Sequence, residues 1–490
     1  MTNEPQSTQF SLEQGVHLVT GSVNAALYDT NTGDIFSVDR TNRILLEMLL
    51  MNWQLREEQR REEQNREGQS REEQPENGQS EASKQFLDAS NGTLQKLLQN
   101  LEENKLGRFF SAEEMPQHKL PEKPEINIDF IWFELTQGCN LKCQHCYDSS
   151  SPDLIKGDII KGDICSGGSG RGKEGLDGIV SGEAVSSQVV SSKTNEKSKQ
   201  QLGVLSHETW LDLLDQTAEL GVKSIQFIGG EPLLYDRIFD LIRHAKEKEI
   251  KFIELFTNGT LITPQIADEL SRLSVNVALS LYADTPEIHD KVTQKPGSFE
   301  KTTTAIKLLQ ERKVSVRLAV IAMSTNEGSI DATLEYIKKE FGIEHTRYDI
   351  VRPVGRGGND ELVPKALYEK SITRAANFRK VNADAFARNL YGNSCLNGKL
   401  CITPTGDVHP CIMEKEYKIG NVKEKSLKEI AQSEELGYIF GLSKDYIEGC
   451  SECEYRYACH DCRPKAKSQD NFLAKPKECR YEPTKGVWQS

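Results

Sequence analysis

No apolar run in the 490 residues approaches the roughly 18 to 20 needed to span a bilayer, and the opening MTNEPQSTQF lacks the charged-then-apolar pattern of an export signal. These absences predict a cytoplasmic protein with no membrane partner. Basic charge is also in short supply: Lys plus Arg total 61 against 74 Asp plus Glu, a net charge of −13. A protein that coats phosphate backbones needs the opposite balance, so no nucleic-acid partner is expected. Without an export signal the twelve cysteines are poor candidates for disulfides and read better as metal ligands. The length exceeds one ordinary domain, and 37% AVILMFWYC with 36 glycines describes a globular chain diluted by polar stretches.

Two segments account for that dilution. Residues 56–80 run REEQR REEQN REGQS REEQP ENGQS, a five-residue period that suits neither helix nor strand. Residues 148–203 hold IKGDI twice in tandem from Ile155, then a Gly/Ser-rich run with few aromatics. Both are expected to be inserted, solvated loops. With them set aside, residues 1–112 read as a small α+β unit. Its strand candidates are 16–19, 23–29 and 35–39, with Asn31, Thr32 and Gly33 turning between the last two, and its helix candidates are 43–53 and 92–104.

From 125 to 365 the pattern alternates. Strand candidates at 130–135, 224–228, 251–256, 276–281, 316–321 and 346–351 are interleaved with amphipathic helices; Ser206, Thr263 with Pro264, and Ser298 are the expected helix starts. Such alternation predicts a parallel α/β sheet whose six units curl into a partial (β/α)6 barrel, with its chemistry at the carboxyl ends of the strands. Residues 390–490 lose regular periodicity and hold eight of the twelve cysteines, which reads as a metal-organised region.

Directly after the first barrel strand, TQGCNLKCQHCY sets Cys139, Cys143 and Cys146 in a CxxxCxxC arrangement. Three thiolates on one tight loop suit three irons of a four-iron cluster and leave the fourth open to a substrate. A zinc knuckle with a fourth ligand such as His145 is the alternative. The second strand ends in IGGEPLL: Gly229 and Gly230 would let a ligand approach the backbone closely, Pro232 follows, and the carboxylate of Glu231 suits an ammonium group.

In these motifs the sequence resembles the radical SAM superfamily, in which GGEP holds the amino group of S-adenosylmethionine. The strand ends FTNG and ALSLYA place Thr257, Asn258 and Ser280 where the family has polar groups around that cofactor. His145 stands where the family usually has Tyr, Phe or Trp. The resemblance implies that the open iron chelates S-adenosylmethionine and that its reductive cleavage gives a 5′-deoxyadenosyl radical, with flavodoxin or ferredoxin as reductant.

The end of the chain, SCLNGKLCITPTGDVHPC followed by CSECEYRYACHDC and Cys479, resembles a SPASM iron-sulfur domain with two auxiliary four-iron clusters. The resemblance implies one cluster on Cys395, Cys401, Cys411 and Cys462 and another on Cys450, Cys453, Cys459 and Cys479. Cys459 and Cys462 are separated by two residues where three are usual, and two zinc sites are the alternative. Cys165, alone in the Gly/Ser-rich segment, reads as an incidental thiol. Residues 1–112 resemble the small winged-helix peptide-binding protein of pyrroloquinoline quinone biosynthesis, through VNAALYDTNTGDIFSVD and RILLEMLL. That likeness implies leader-peptide recognition by strand addition.

Taken together these resemblances imply a radical SAM enzyme that modifies a ribosomally made precursor peptide by thioether or carbon–carbon crosslinking, epimerisation or excision. Two alternatives stand beside it. A sulfatase-maturating enzyme oxidises Cys or Ser and carries an acid directly after the cysteine corresponding to Cys411, where this chain has Ile412 and Met413, with Glu414 two residues late. A non-catalytic, peptide-binding metal scaffold would have no need of GGEP.

Overall fold

The computed structural model describes residues 9–50, 91–111, 113–116, 118–125, 127–157, 203–466 and 471–489. The pentapeptide run, most of the second insertion, Cys165 and the end of the helix expected over 43–53 lie outside the described residues. Two compact units are present, one of Met1–Ile126, Ser371–Asn397 and Tyr438–Ser490, the other of Asn127–Lys370 and Gly398–Gly437. The chain thus divides by contacts differently from the composition-based stretches 1–112, 125–365 and 390–490, since Gly398–Gly437 groups with the alternating region.

In the first unit, β1 (Gln9–Leu12) is followed by β2 (Val16–Thr20), β3 (Ala25–Asp29) and β4 (Asp34–Val38), which form an antiparallel sheet in the order β2-β3-β4. Gly33 turns β3 into β4 at φ +83°, which favours glycine, while Asp29 accepts from the amide of Asn31 at 2.9 Å to close the turn. Helix α1 (residues 40–50) starts three residues earlier than the sequence suggested, and α2 (Asn91–Glu103) leads into β5 (Gly107–Phe110). β5 pairs antiparallel with β1 in a second small sheet that the sequence pattern did not reveal, because each strand is only four residues long. Leu45, Leu46, Leu97 and Leu101 pack with Leu12, Val16 and Leu27 as one core.

The second unit holds six parallel strands in chain order: β6 (Phe130–Glu134), β7 (Ser224–Ile228), β8 (Phe252–Phe256), β9 (Asn276–Ser280), β10 (Val316–Ala322) and β11 (Tyr348–Ile350). Each falls within or over its expected segment. Between them lie α3 (His207–Glu219), α4 (Ile238–Glu247), α5 (Pro264–Arg272), α6 (Pro286–Thr293), α7 (Ser298–Glu311) and α8 (Ile330–Phe341). Ser206 and Thr263 cap α3 and α5 as expected, accepting from the amides of Thr209 and Ile266. Ser298 does not cap α7: Gly297, at φ +76°, is the N-cap, and Asp290 accepts from the amides of Gly297 and Phe299 at 2.6 and 2.8 Å. The capping carboxylate comes from α6, an element too short to stand out in the sequence.

The sheet does not stop at six strands. β12 (Lys399–Ile402) runs parallel to β6, with Cys401 beside Trp132, and β13 (Asp407–His409) and β14 (Gly420–Asn421) extend it antiparallel. Returning to the first unit, α9 (Ala383–Tyr391), β15 (Tyr481–Glu482) and β16 (Val487–Trp488) supply Phe386, Tyr481 and Trp488 to an aromatic cluster shared with Tyr28 and Tyr455. No helix among the described residues is long and apolar enough to cross a membrane.

Candidate active site

The three cysteines of the CxxxCxxC loop sit beyond the carboxyl end of β6, and the loop is fixed from several sides. Gly138 donates its amide to Thr136 Oγ1 at 2.9 Å, and the carbonyls of Thr136 and Gly138 accept from the amides of Gly230 and Glu231 at 2.6 and 2.9 Å. This pairing explains the two glycines. A Cβ on Gly229, which has φ +136°, would lie 2.5 Å from the Thr136 carbonyl oxygen; one on Gly230 would lie 2.1 Å from that of Gly138. Both glycines line a cavity, so the ligand approach expected of them and this close backbone packing fall on the same pair. In the structure their missing side chains let the GGEP loop lie against the cysteine loop.

Glu231 is fully buried, and its carboxylate accepts from Thr257 Oγ1 at 2.6 Å, the Asn258 amide at 2.8 Å and the Leu233 amide at 3.1 Å. Burial pushes it up to about 6 against these three donors. A carboxylate has about four lone-pair sites, so one remains for a further donor. Pro232 opens the short turn that brings the Leu233 amide back onto this carboxylate. Asn258 reaches the other way, donating to Asn140 Oδ1 at 2.8 Å and lying 3.8 Å from Cys139 Sγ. Thr257, Asn258, Gly229, Gly230 and Ser280 line one cavity of about 180 Å³ with Cys139, Cys143 and Cys146. The expected cofactor positions and the three thiols therefore converge, although Glu231 and Pro232 stand behind the cavity wall.

Burial pushes the Cys139 thiol up to about 12 and raises Cys143 likewise, so neither ionises near neutrality without a bound cation. The surroundings nevertheless suit thiolates. The amide two residues on donates to sulfur at 3.4 Å in three places: Leu141 to Cys139, Met413 to Cys411 and Tyr455 to Cys453. Such bonds are strongest to a charged sulfur. Among the described residues no three His, Cys, Asp or Glu side chains are arranged around a single metal ion. His145, which the zinc alternative would use, is half-buried, desolvation lowers it to about 4, and its ring meets Tyr282 edge-on at 4.9 Å.

Several residues of this site were not legible in advance. Arg356 donates from Nε to the Cys143 carbonyl and from Nη2 to the Ser150 carbonyl, both at 2.8 Å, and its own amide donates to the Cys146 carbonyl at 2.9 Å. Gly355 at φ +56° lets this strap lie on the cysteine loop, since a Cβ there would sit 2.3 Å from the Tyr147 carbonyl oxygen. The available signal was the run Gly355-Arg356-Gly357-Gly358 just past the sixth strand, where barrel chemistry collects. Behind the loop, buried Glu134 accepts from the Tyr147 hydroxyl at 3.1 Å and pairs with Lys415. Ile412 and Met413 also line the cavity, with Met413 Sδ 3.4 Å from Arg352 Nη1.

In the first unit, Cys450, Cys453, Cys459, Cys462 and Cys479 line a larger cavity of about 590 Å³, together with Lys444, Tyr455 and Trp488. Cys395 lies in that unit as well, whereas Cys401, on β12, and Cys411 belong to the second.

Comparison with known proteins agrees with this geometry. Residues 133–337 match the Radical SAM superfamily, and residues 394–454 match the iron-sulfur cluster-binding domain called SPASM. An AdoMet-dependent heme synthase of Methanosarcina barkeri is 24% identical over 387 residues, covering 72% of this chain and 97% of its own. The antilisterial bacteriocin subtilosin biosynthesis protein AlbA of Bacillus subtilis is 23% identical over 359 residues, covering 70% of this chain and 69% of its own. The crystal structure of Streptococcus suis SuiB bound to S-adenosylmethionine is 14% identical with a TM-score of 0.49, covering 96% of this chain and 100% of that one. The chain thus carries a Radical SAM domain, which uses S-adenosylmethionine and a [4Fe-4S] cluster, and a SPASM domain of the type that binds auxiliary iron-sulfur clusters, and it is a radical SAM enzyme.

Proposed function

We propose that this enzyme modifies a ribosomally synthesised precursor peptide. Cys139, Cys143 and Cys146 would hold the cluster that binds S-adenosylmethionine, and Gly229, Gly230, Glu231, Pro232, Thr257, Asn258 and Ser280 would form the site for that cofactor. Bound there, S-adenosylmethionine and the cluster would supply hydrogen-abstracting radical chemistry, given one electron from an external reductant. The chain's own part is to orient and enclose: Glu231, behind the cavity wall, keeps one lone pair on Oε2 that would suit an ammonium donor, Arg356 fixes the cysteine loop, and Ile321, Ile350 and Ile412 keep the cavity apolar. Cys395, Cys401, Cys411, Cys450, Cys453, Cys459, Cys462 and Cys479 carry the auxiliary clusters.

The observation that carries the peptide reading is the β2-β3-β4 sheet, in which β2 and β4 each pair on one side only among the described residues. An extended leader peptide can add to such an edge. In this reading residues 1–112 form a winged-helix-like recognition domain. The likeness to AlbA supports it. Ile412 in the cavity wall, where the sulfatase-maturating type has an acid, speaks against that alternative. A second reading, a tetrapyrrole substrate, is favoured by the likeness to the heme synthase over 97% of that protein.

One experiment separates these readings. The protein is co-expressed anaerobically with short open reading frames neighbouring its gene, and the peptides are analysed by mass spectrometry after exchange in deuterated water. A mass change or a site-specific deuterium label in one peptide supports the peptide reading. Unmodified peptides, together with absorbance shifts on adding an iron porphyrin, overturn it in favour of the tetrapyrrole.

A further inference from the structure

Beside the larger cavity of the first unit lies a group of buried charges that the proposed chemistry does not use. Lys444 is 5% exposed, Asp461 2% and Arg463 0%. Lys444 Nζ stands 3.7 Å from Asp461 Oδ1, Arg463 pairs with the same oxygen, and Asn393 donates to Asp461 Oδ2 at 2.9 Å. Arg463 Nη1 is spent on the carbonyls of Phe472 and Ala474, at 2.9 and 3.0 Å. Two buried cations therefore share one buried carboxylate, which leaves a net positive charge in a low-dielectric interior, an arrangement that is costly unless an anion completes it.

The side on which the anion belongs is given by Lys444. Its Nζ lies 4.0 Å from Cys450 Sγ, and the side chain lines the cavity shared with Cys453, Cys459 and Cys479. A four-iron cluster on four thiolates is anionic in both oxidation states and gains one negative charge when it takes up one electron from an external reductant. A fixed cation and an N–H donor at one sulfur favour the more negative state, and hydrogen bonds to sulfur are a recognised control on cluster potential.

We propose that Lys444, held in place by Asp461, is a positioning residue for the auxiliary cluster on Cys450, Cys453, Cys459 and Cys479 and raises that cluster's reduction potential. The inference rests on the assignment of those cysteines as ligands. Asp461 sets the strength of the effect: it orients the ammonium and offsets half of the buried positive charge.

The test uses the full chain, purified anaerobically with its clusters, with iron quantified and potentials read by EPR-monitored redox titration. Lys444→Met removes the charge at similar volume, and the auxiliary potential is expected to fall. Asp461→Asn removes the opposing charge, and the potential is expected to rise. Lys444→Arg should stay close to the parent. Opposite shifts with unchanged iron support the proposal, because general loosening would not move the two variants in opposite directions. Loss of auxiliary iron from Lys444→Met with retention in Lys444→Arg supports it too. Unchanged potentials at full iron content, or shifts of the same sign, overturn the role of Lys444 while leaving the ligand assignment intact. A parent protein without iron beyond the Cys139 site overturns the ligand assignment itself, and the proposal with it.

Discussion

Tyr28, in the middle of β3, donates its hydroxyl to the backbone oxygen of Glu454, the residue after Cys453, at 3.0 Å in the buried interior of the first unit. It is not an isolated contact. The Ser22 amide donates to the Glu452 carbonyl at 2.8 Å, Arg456 donates to the Thr20 carbonyl at 2.9 Å, and the Ser37 and Tyr455 hydroxyls meet at 2.7 Å. The N-terminal sheet thus grips the loop that carries Cys450, Cys453 and Cys459.

This grip changes what removing the N-terminal residues should do. A freely detachable docking domain would leave all the clusters in place. Here, deletion of residues 1–112 is expected to cost about four irons per chain, the content of the cluster proposed for that loop, while 5′-deoxyadenosine formation persists. Iron analysis with a cofactor-cleavage assay checks it. Tyr28→Phe is the milder counterpart: it leaves a buried carbonyl without its donor, at a cost of about 1–2 kcal/mol in denaturant unfolding. Full iron content in the deletion variant would show that the sheet does not support the loop.

Gly230→Ala should be severe. Its Cβ would meet the carbonyl oxygen of Gly138 at 2.1 Å and the carbonyl carbon at 2.6 Å, both backbone atoms with little room to retreat. Relief requires moving the residue that precedes Cys139. Deoxyadenosine formation is expected to drop roughly tenfold or more, with a stability loss of about 1–3 kcal/mol. Gly328→Ala, where an added Cβ meets nothing within 4 Å, is the control and should stay within about 0.5 kcal/mol of the parent.

Arg356 makes its two side-chain bonds through a planar fork, from Nε to Cys143 O and from Nη2 to Ser150 O. Lys keeps the charge but cannot span both carbonyls. Arg356→Lys is therefore expected to load iron yet lose it faster to a chelator, and Arg356→Gln to do so faster still; each lost charge-assisted bond is worth about 1.5–3 kcal/mol. Chelator-challenge kinetics followed by absorbance measure this. Equal rates for all three proteins would mean that the strap does not hold the loop.

Much of the second unit was legible because its strands are short apolar runs bounded by capped helices, and because CxxxCxxC and GGEP fall at strand ends that sheet order brings side by side. What escaped was encoded in contact rather than in pattern. β12 was hidden because KLCI is too short to show a period, and only pairing with β6 makes it a strand. Asp290 caps α7 from an element too short to stand out, and Arg356 straps the cysteine loop across a gap of 213 residues that no local window spans. The Tyr28–Glu454 bond joins residues 426 apart. The Gly-Gly pair lines the cavity, and the neighbouring backbone that it also accommodates becomes visible only after folding.

Glu231 provides the sharpest test of the cofactor site, because its two roles separate by measurement. Its carboxylate accepts from two backbone amides, Leu233 on Oε1 and Asn258 on Oε2. In Glu231→Gln the amide nitrogen must take one of these places and face a donor, so one buried N–H goes unpaired at a cost of about 1–3 kcal/mol. The pH dependence of stability should change as well. Burial raises the native carboxyl from 4.5 to about 6, so the folded state holds this proton more tightly than the unfolded chain. Its contribution is fully present below 4.5 and lost as pH climbs through about 6, roughly 2 kcal/mol that Gln cannot lose. The gap between parent and variant should therefore narrow on going from about pH 5 to about pH 8 in denaturant unfolding. Binding of S-adenosylmethionine, followed by calorimetry on the anaerobic protein near neutral pH, should weaken by roughly tenfold or more if the free lone pair on Oε2 meets the cofactor ammonium. A variant that is less stable but binds the cofactor as tightly as the parent would confine Glu231 to holding the Thr257 and GGEP loops together.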